Sequence, residues 1–487
     1  MLNSLLRRLG AGRLARAQRA LAGASHEFNS GHFEKALVAA EEVLRLDPRS
    51  ANAHALAAAS VLEVARAMQH EALRNRTASP DVSSSYERAI AHFAESARYA
   101  DSPCGAIARQ AAALREAGRL DASHQLLEQS RPGCSGDGDY LLELAQDCLC
   151  YGESARAISV YEELLARAPL DPRGHAACAL ALLGDGQFAR GWDEYEWRLQ
   201  IGDFSSRHEL PVPVWAGEPL ANRTLFVEAE QGLGDQIMFA SCVPDLLAGG
   251  TRVLLEASPR LAALFENSFP GAKVLPKSST GHDWKSLPEL DARVSIGSLP
   301  RYLRRSPEAF PDRAAYLKAQ PELVELYRVR LALLGNGPKV GIAWRGGLPG
   351  TLSALRSMRL DDLDPLLKLS QLIFVSLEFA DCRVELQAAH ERGFDVSWWP
   401  EAALDMAHFA ALISALDCVV SVATTAVHMA GALGKPTWAL VAPGGTWRYM
   451  WRGEKMHWYP AVRVMRPAQS GDWSRPVEEI ARALTRV

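Results

Sequence analysis

The sequence lacks a strong excess of charge of either sign. Its 487 residues include 53 lysines and arginines against 57 aspartates and glutamates, which gives a formal net charge of −4. A chain with this balance offers no basic footprint for a nucleic acid, so we expect no nucleic-acid partner. With 48% apolar and 23% charged residues, it has the composition of a soluble globular protein.

Cysteines with metal-site spacing are also missing. The eight cysteines are scattered along the chain, and none forms a C-x-x-C pair or stands beside a set of histidines. This spacing excludes the usual zinc sites, so we predict no metal ligands. Reduced thiols in a cytoplasmic protein fit the pattern best.

No stretch is apolar for long enough to cross a bilayer as a helix, and we predict no transmembrane segment. The first twenty residues contain five arginines and no acidic residue, but Arg7 and Arg8 interrupt the apolar residues at once. No signal-peptide core is therefore expected. The stretch predicts a basic amphipathic helix, and a peripheral contact with a membrane surface stays the alternative.

What the first two hundred residues do contain is a repeat. Its period is 34 residues, because the residue that follows each turn recurs at Phe33, Tyr86, Leu120, Ser154 and Phe188, with spacings of 53, 34, 34 and 34. The first spacing exceeds the period by 19 residues, which predicts a longer helix and a loop around residues 66–85. Turn glycines accompany the repeat at Gly31, Gly118, Gly152 and Gly186.

Within each unit, a small residue follows three positions after the turn residue, and in most units a bulky one follows four positions later. The small residues are Ala36, Ala89, Ser123, Ala157 and Gly191. They let a paired helix approach closely. With closing prolines at Pro48 and Pro169, the pattern resembles the tetratricopeptide repeat family. The resemblance implies a helical solenoid whose concave surface binds extended peptides or partner proteins.

After residue 200 the pattern changes to alternating strands and helices. Strands are predicted at 225–227, 251–256, 272–275, 292–296, 339–343, 372–377, 394–398, 418–422 and 437–441, with helices at 259–269, 321–334, 407–416 and 426–433. Such alternation builds parallel sheets that bind ligands at the carboxyl ends of their strands. We therefore predict a helical repeat domain over 1–200 and two Rossmann-like domains over 201–335 and 336–487, with a cleft between them.

The stretch 224–240, TLFVEAEQGLGDQIMFA, predicts a strand, a glycine turn and a helix. Gly232 and Gly234 leave room for a ligand near the backbone, and the amides at the helix start favour an anion. The turn is not a dinucleotide fingerprint, because Ile237 stands where the third glycine belongs. Asp235 fits two roles, a cap of the helix or a base that takes a proton from a substrate hydroxyl.

Two loops in the second Rossmann-like half carry candidate donor-binding residues. Arg345 follows a strand beside glycines, where it is either a cation that reaches a phosphate or a solvated turn residue. Thr424 and Thr425 precede a helix that carries His428, and their hydroxyls and free amides predict a second anion site. A single histidine of this kind is more often structural than catalytic.

An aromatic and basic run at residues 447–452 is the third such loop. Its Trp447 can stack on a sugar ring or base and its Arg448 can pair with a phosphate. The same residues can instead clamp the C-terminal helix to its domain. We favour the binding role.

Six motifs occur in a specific order: EQGLGDQI, VGIAWRGG, FVSLE, DMAHFAALISALDCVVSV, TTAVHMAGALGKPTW and a W-R and W-Y-P tail. This order resembles bacterial glycosyltransferases of the GT-B fold with N-terminal tetratricopeptide repeats. Their catalytic part is similar to the heptosyltransferases and, more distantly, to the O-linked N-acetylglucosamine transferases. The resemblance implies metal-independent transfer of a sugar from a nucleotide-sugar donor to an acceptor hydroxyl, with no further cofactor. By analogy with repeat-bearing relatives, it implies a protein acceptor modified on serine or threonine, such as flagellin or another surface protein.

The resemblance also assigns residues. Asp235 becomes the base, on an acceptor-side loop that includes Gly232, Gly234 and Gln236, and the donor site is lined by Trp344, Arg345, Thr424, Thr425 and His428. Relatives commonly carry an aspartate where this chain has Ala423. Either the donor differs, another acid such as Glu378 or Asp405 substitutes, or catalysis has been lost. A transferase for lipid-linked or polysaccharide acceptors and a non-catalytic repeat adaptor are the two rival functions.

Overall fold

The computed structural model describes residues 2–77, 79–202, 210, 212–278, 287, 289–347, 350–444, 446–469 and 471–485, and only the backbone of residues 2–12. It contains two compact units. One holds the chain up to Pro169 and a short insert that ends at Leu355, and the other holds Leu170–Gly347 and the chain from Arg356 onward. None of the helices in the described part combines the length and apolar character that a membrane crossing needs.

Up to Pro169, the described residues of the first unit form eight helices, and each packs against the next one along the chain. They are α1 Leu2–Asn29, α2 Phe33–Leu46, α3 Ala51–Asn75, α4 Ser83–Tyr99, α5 Cys104–Glu116, α6 Leu120–Cys134, α7 Gly138–Cys150 and α8 Ser154–Arg167. The predicted helical repeat is confirmed, and the 25-residue α3 takes up much of the insertion in the first spacing. The arginines at 7 and 8, on which the amphipathic prediction for α1 partly rests, have side chains outside the described residues.

The repeat positions have the packing that their size predicts. The small side chains of Ala36, Ala89, Ser123 and Ala157 are fully buried between helices. The turn glycines Gly31, Gly118, Gly152 and Gly186 have φ values of +77°, +78°, +74° and +86°, which end a helix in the left-handed conformation that glycine adopts without strain. Small residues and glycines therefore set how closely paired helices approach and where they turn.

The cysteines depart from the prediction at one place. Cys104, at the start of α5, and Cys134, at the end of α6, form a disulfide with their Cα atoms 5.4 Å apart. The prediction of reduced thiols is wrong for this pair. Their separation of 30 residues matches no short motif, and only the antiparallel packing of α5 and α6 brings the two ends together. The other six cysteines are free and buried.

The second unit begins with the last repeat pair, α9 Pro172–Gly184 and α10 Phe188–Tyr195. A four-stranded parallel sheet follows in the order β3-β2-β1-β4. Its strands are β1 Thr224–Glu228, β2 Arg252–Ala257, β3 Ala272–Pro276 and β4 Ala292–Ser295, with helices α11 Leu233–Phe239, α12 Val243–Ala248, α13 Pro259–Ser268, α14 Pro300–Leu303 and α15 Pro321–Ala332. Every residue of β1 is buried, because helices cover both faces of a parallel sheet.

A six-stranded parallel sheet with the order β10-β9-β8-β5-β6-β7 completes the unit. Its strands are β5 Lys339–Ala343, β6 Ile373–Ser376, β7 Val396–Trp398, β8 Cys418–Val422, β9 Thr437–Leu440 and β10 Val462–Met465. The short helix α16 Ser353–Arg356 lies mostly in the insert that belongs to the first unit. The helices that accompany the six-stranded sheet are α17 Asp364–Leu367, α18 Arg383–Glu391, α19 Met406–Ala415, α20 Thr425–Ala432 and α21 Ser474–Leu484. The predicted alternation of strands and helices is confirmed, and β10 is an addition to it. The boundaries near residues 200 and 335 stay predictions.

Two loops lie at the point of the six-stranded sheet where the chain stops adding strands on one side and starts adding them on the other. From β5 the chain continues outward to β6 and β7, then returns to β8 on the other side of β5 and continues to β9 and β10. The loops after β5 and β8 therefore flank the switch point, where open parallel sheets bind their ligands. Residues 344–347 and 423–424 form the starts of these loops.

An aromatic cluster joins the last repeat pair to both sheets. The ring of Trp192 on α10 lies 5.6 Å from Trp447 and 6.1 Å from Trp458, and that of Tyr195 lies 6.4 Å from Phe239 of α11. Edge-to-face and tilted ring contacts of this kind stabilise a fold by more than the burial of their surface area alone. The last repeat is thus part of the core of the second unit.

A tight contact at Gly184 gives a stability prediction. Trp451 donates its backbone N–H to the Gly184 carbonyl at 2.8 Å and its indole N–H to the Ala181 carbonyl at 2.8 Å. A Cβ added to Gly184 would lie 2.3 Å from the indole of Trp451. Overpacking of this size costs about 1–3 kcal/mol, so we expect Gly184→Ala to lower the melting temperature of the protein measurably. Gly23→Ala, where no described atom lies within 4 Å of the added Cβ, is the control and should not lower the melting temperature.

Candidate functional site

The glycine turn after β1 is held in place by the last repeat. Arg198 donates to both carboxylate oxygens of Glu230, and the Glu230 carboxylate also accepts the Gly297 N–H at 2.7 Å. Gln231 has a φ of +62°, in the left-handed region, and its side-chain amide donates to the Tyr195 hydroxyl at 2.6 Å. A non-glycine residue in this conformation stores strain that the surroundings must hold, as is common at functional sites.

Asp235 lies at the third residue of α11 and contacts Arg448. Its Oδ1 accepts from Nε and Nη2 of Arg448 at 2.5 Å each. No side-chain hydrogen bond caps the start of α11, so the alternative that Asp235 caps this helix is not supported. The carboxylate instead joins a helix of the four-stranded sheet to a loop of the six-stranded sheet. Its role as a base stays a prediction.

The loop that carries Arg448 is rigidly placed. The Arg448 guanidinium lies 4.9 Å over the Trp447 ring, and although burial opposes it, Asp235 raises the pKa of Arg448. Arg466 donates to the carbonyls of Tyr449 and Met450 at 2.6 and 2.7 Å. Met450 has φ +63° and ψ +163°, a conformation that non-glycine residues rarely adopt. Strain and several clamping contacts therefore meet in the residues next to Arg448.

His428 is buried where α11 packs against α20. A Cβ added to Gly234 would lie 3.0 Å from Cδ2 of His428, so the glycine permits this close approach. The Nδ1 atom of His428 lies 3.1 Å from the Tyr459 hydroxyl. Burial lowers the pKa of His428 to about 3, and the charges of Arg448 and Arg356 add to the effect. The imidazole is neutral near pH 7, as expected for a structural or hydrogen-bonding histidine.

The depressed pKa of His428 predicts an acid sensitivity of the fold. Its ordinary value is 6.5, so unfolding binds a proton once the pH falls below 6.5, and stability is lost down to a pH of about 3. We expect the wild type to lose about 1.4 kcal/mol more than His428→Asn between about pH 7.5 and pH 5.5. Urea unfolding at both pH values measures the difference. The exposed His390, changed to asparagine, should leave the wild-type dependence intact, and an equal loss in the His428→Asn protein would contradict the prediction.

The start of α20 has the features of an anion site. The Thr424 hydroxyl accepts the Ala426 N–H at 3.2 Å, and Thr425 begins the helix with a partly exposed side chain. Arg356 donates from Nη2 to the Ala423 carbonyl at 3.3 Å. Burial lowers the pKa of Arg356, and the charge of Arg448 lowers it further. Sequence reasoning missed Arg356, because it stands in no motif.

Two buried hydroxyl groups in the loop that carries Arg448 have no hydrogen-bond partner among the described residues. Tyr449 is 1% exposed and its ring centroid lies 5.8 Å from that of His428, and Thr446 precedes it by three residues. Neither hydroxyl has a hydrogen-bond partner among the residues that the structure describes. Burial raises the pKa of Tyr449, so its hydroxyl is protonated and able to donate. Buried hydroxyls without a partner among the described residues need an explanation, and a ligand rich in oxygen would supply one.

Two of the predicted donor residues have structural roles instead. Trp344 is fully buried and its indole donates to Glu385 at 2.9 Å, which leaves the side chain no surface for a ligand. The Arg345 guanidinium is engaged by Glu378 and by the carbonyls of Ala380 and Asp381 at 3.0–3.1 Å. Its suggested phosphate contact is not supported, because these partners hold the loop after β5 against the loop after β6.

Gln236 and Trp447 also serve the fold. The Gln236 side chain is buried and accepts the Ser258 N–H at 2.8 Å, so it braces the loop after β2. Trp447 is 4% exposed within the aromatic cluster, and its predicted stacking on a ligand gives way to a role beneath Arg448. A hydrophobic pattern cannot separate an aromatic ring that binds a sugar from one that supports the residue that does.

The two acids offered as substitutes at position 423 have other partners. Both backbone N–H groups of Trp344 and Arg345 donate to Glu378, at 2.8 and 3.0 Å. Asp405 caps α19 by accepting the Ala407 N–H at 2.6 Å. These hydrogen bonds occupy both carboxylates, and the three alternatives for position 423 stay predictions. Among the described residues, no cluster of three metal-ligating side chains occurs.

Comparison with known proteins shows similarity in sequence to a bacterial protein. No protein-family profile matches the chain. The protein FlbA of Caulobacter vibrioides is 32% identical over 358 residues, which cover 68% of this chain and 59% of FlbA. The chain thus spans less than two thirds of the length of that relative.

Solved structures give distant matches. The structure of an O-GlcNAc transferase mutant of Thermobaculum terrenum aligns over 97% of this chain and 92% of its own, with 14% identity and a TM-score of 0.33. The structure of Pseudomonas aeruginosa PilF aligns over 39% of this chain and 78% of its own, with 18% identity and a TM-score of 0.31. At these scores the fold rests on the chain's own helical hairpins and parallel sheets.

Proposed function

We propose that the chain is a glycosyltransferase of the GT-B type, which moves a sugar from a nucleotide-sugar donor to an acceptor hydroxyl. The observation that carries the proposal is the contact of Asp235 on α11 with Arg448 in the loop after β9. A carboxylate of one sheet's helix and a cation of the other sheet's loop meet next to Tyr449, whose buried hydroxyl has no partner among the described residues. In this proposal residues 201–335 form the acceptor-side half and residues 336–487 the donor-side half.

Asp235 acts as the general base in this scheme. It takes the proton from the acceptor hydroxyl while the hydroxyl oxygen forms a bond to the anomeric carbon of the donor sugar. The bond between that carbon and the phosphate oxygen breaks at the same time, and the nucleoside diphosphate leaves. A carboxylate is suited to this step because, when ionised, it only accepts hydrogen bonds.

Positive charge for the leaving diphosphate comes from side chains and from the backbone. Arg356 donates to the Ala423 carbonyl just before α20, the amides at the start of that helix favour an anion, and Arg448 is the second cation. The hydroxyls of Tyr449 and Thr446 supply further donors. We therefore propose a metal-independent reaction in which arginines and a helix start neutralise the developing charge.

The acceptor is the less constrained part of the proposal. The first unit consists of helical repeats, and such repeats present long concave surfaces to extended peptides. We propose that they recruit a protein whose serine or threonine hydroxyls receive the sugar, with flagellin or another surface protein as candidates. A lipid-linked or polysaccharide acceptor is the rival, and in that case the repeats would dock an assembly partner.

A non-catalytic adaptor is the second rival, and one observation favours it. Ala423 replaces the acid that relatives commonly carry, and the two other candidate acids, Glu378 and Asp405, are committed to the fold. Such a protein would keep the two-sheet unit as a scaffold without binding a donor.

Transfer of label distinguishes the three functions. The purified full-length protein is incubated with a panel of radiolabelled nucleotide sugars and an extract of the producing cells, and the protein, lipid and polysaccharide fractions are counted separately. Label in the protein fraction supports the proposal, and label in either other fraction supports the first rival. Calorimetry that detects no binding of any nucleotide sugar would instead support the adaptor.

A further inference from the structure

The pair of Asp235 and Arg448 occupies the two groups to which the reaction assigns its main tasks. Both the Nε and Nη2 atoms of Arg448 point to Oδ1 of Asp235 at 2.5 Å. While the pair holds, that oxygen is already filled by two N–H donors. The Nε–Nη2 edge of the guanidinium is then closed to a bidentate contact with a phosphate, which on that edge needs both of these atoms.

The charges around the pair favour a second anion. Arg448 and Arg356 carry two positive charges, Asp235 carries one negative charge, and His428 is neutral because burial lowers its pKa to about 3. The cluster therefore has one positive charge in excess. With the protonated hydroxyl of Tyr449 unsatisfied, a diphosphate that enters here competes with Asp235 for Arg448.

The backbone around Arg448 leaves only its side chain free to change partner. Arg466 holds the carbonyls of Tyr449 and Met450, and Trp451 is anchored to Gly184 and Ala181 on α9. Arg448 can therefore change its partner without a movement of the whole loop. Rotation of one long side chain, which is 20% exposed, is sufficient to exchange a carboxylate for a phosphate.

We propose that Arg448 is an exchange latch, which holds Asp235 in the empty protein and transfers to the diphosphate of the donor. Donor binding then releases the base, so the donor binds before the acceptor reacts. This inference rests on the proposed function, since it needs a diphosphate ligand. It assigns Arg448 a second task, the timing of the base, besides its contact with the leaving group.

The alternative is that the pair is a permanent brace between the two sheets of the second unit. A brace and a latch predict opposite effects of removing the carboxylate. If the pair is a brace, its loss loosens the site and weakens anion binding. If it is a latch, its loss frees Arg448 in advance and strengthens anion binding.

Calorimetry with inorganic pyrophosphate and with a set of nucleoside diphosphates tests the latch on the full-length protein. We expect Asp235→Asn to bind the best of these ligands about tenfold more tightly than the wild type, a change of about 1.4 kcal/mol. Asp193→Asn is the matched control, because Asp193 is also paired with arginines, Arg301 and Arg305, and its loss changes the net charge equally. This control should bind as the wild type does.

A second background separates the latch from simple removal of negative charge. In an Arg448→Ala protein the change Asp235→Asn should give no tightening, because no latch remains to be released. Tightening of equal size in that background would overturn the latch, and so would unchanged or weaker binding by Asp235→Asn alone. Both results leave the proposed function standing. Failure of both the wild type and Asp235→Asn to bind any of these ligands would overturn the proposed function and the latch together.

Discussion

Asp235→Asn is expected to lower the rate of sugar transfer by at least about 100-fold, the lower end of what a general base contributes. Asparagine keeps the size and position of the side chain but cannot accept the proton of the acceptor hydroxyl. Turnover with saturating donor and acceptor is the measurement. Because the change also frees Arg448, kcat should fall while the donor binds at least as tightly as it binds to the wild type.

A control has to show that the Asp235→Asn protein loses turnover without unfolding. Asp193→Asn removes another carboxylate that is paired with arginines, and it should retain wild-type turnover. The two variants should also show the same melting temperature within a few degrees. Transfer at the wild-type rate by the Asp235→Asn protein would remove Asp235 from the mechanism.

Arg448→Ala is expected to reduce kcat by about 10²- to 10³-fold, which is the typical cost of losing one preorganised donor to the developing charge. A further effect adds to it, since the ring of Trp447 loses the cation above it. Donor affinity should fall as well. Steady-state kinetics with varied donor concentration separate the two contributions.

Arg448→Lys is the informative partner of that variant. Lysine keeps the positive charge but lacks the planar fork that contacts Asp235 through two nitrogen atoms. Its kcat should lie between those of the wild type and Arg448→Ala. If Arg448→Ala retained wild-type kinetics, the diphosphate would have to be held elsewhere, and the assignment of this loop to the donor would fail.

Most of the architecture was predictable from the sequence, for reasons that lie in short-range patterns. The turn glycines at 31, 118, 152 and 186 mark left-handed helix ends, and a spacing of 34 residues follows from the helix pairs that they separate. The strands of both sheets are short apolar runs flanked by turn residues, because helices bury a parallel sheet on both faces. β10 escaped prediction, since its four residues include a charged one and follow an irregular loop.

The candidate site was predictable only in part. The positions of Asp235, Thr424 and Arg448 at the ends of strands were visible from the order of elements, but their partners were not. Arg448 meets Asp235 across 213 residues of sequence, and no local pattern records that contact. Arg345 has the same local appearance as Arg448, yet the carboxylate of Glu378 engages its guanidinium.

The role of the last repeat pair in the candidate site was not predicted from the sequence either. Tyr195 and Arg198 hold the glycine turn, and Gly184 anchors the loop that carries Arg448 through Trp451. From sequence these residues belong to the solenoid. In the structure they belong to the unit that contains both sheets, so the last repeat supports the candidate site from both sides.

The central claim is that this chain transfers a sugar by means of Asp235. The most direct measurement is the transfer of radiolabel from a panel of nucleotide sugars to macromolecules of the producing cells, with wild-type and Asp235→Asn protein in parallel. We predict label from one donor with the wild type and about one hundredth of that amount or less with the variant. Label transferred equally by both proteins, or from no donor by the wild type, would contradict the claim.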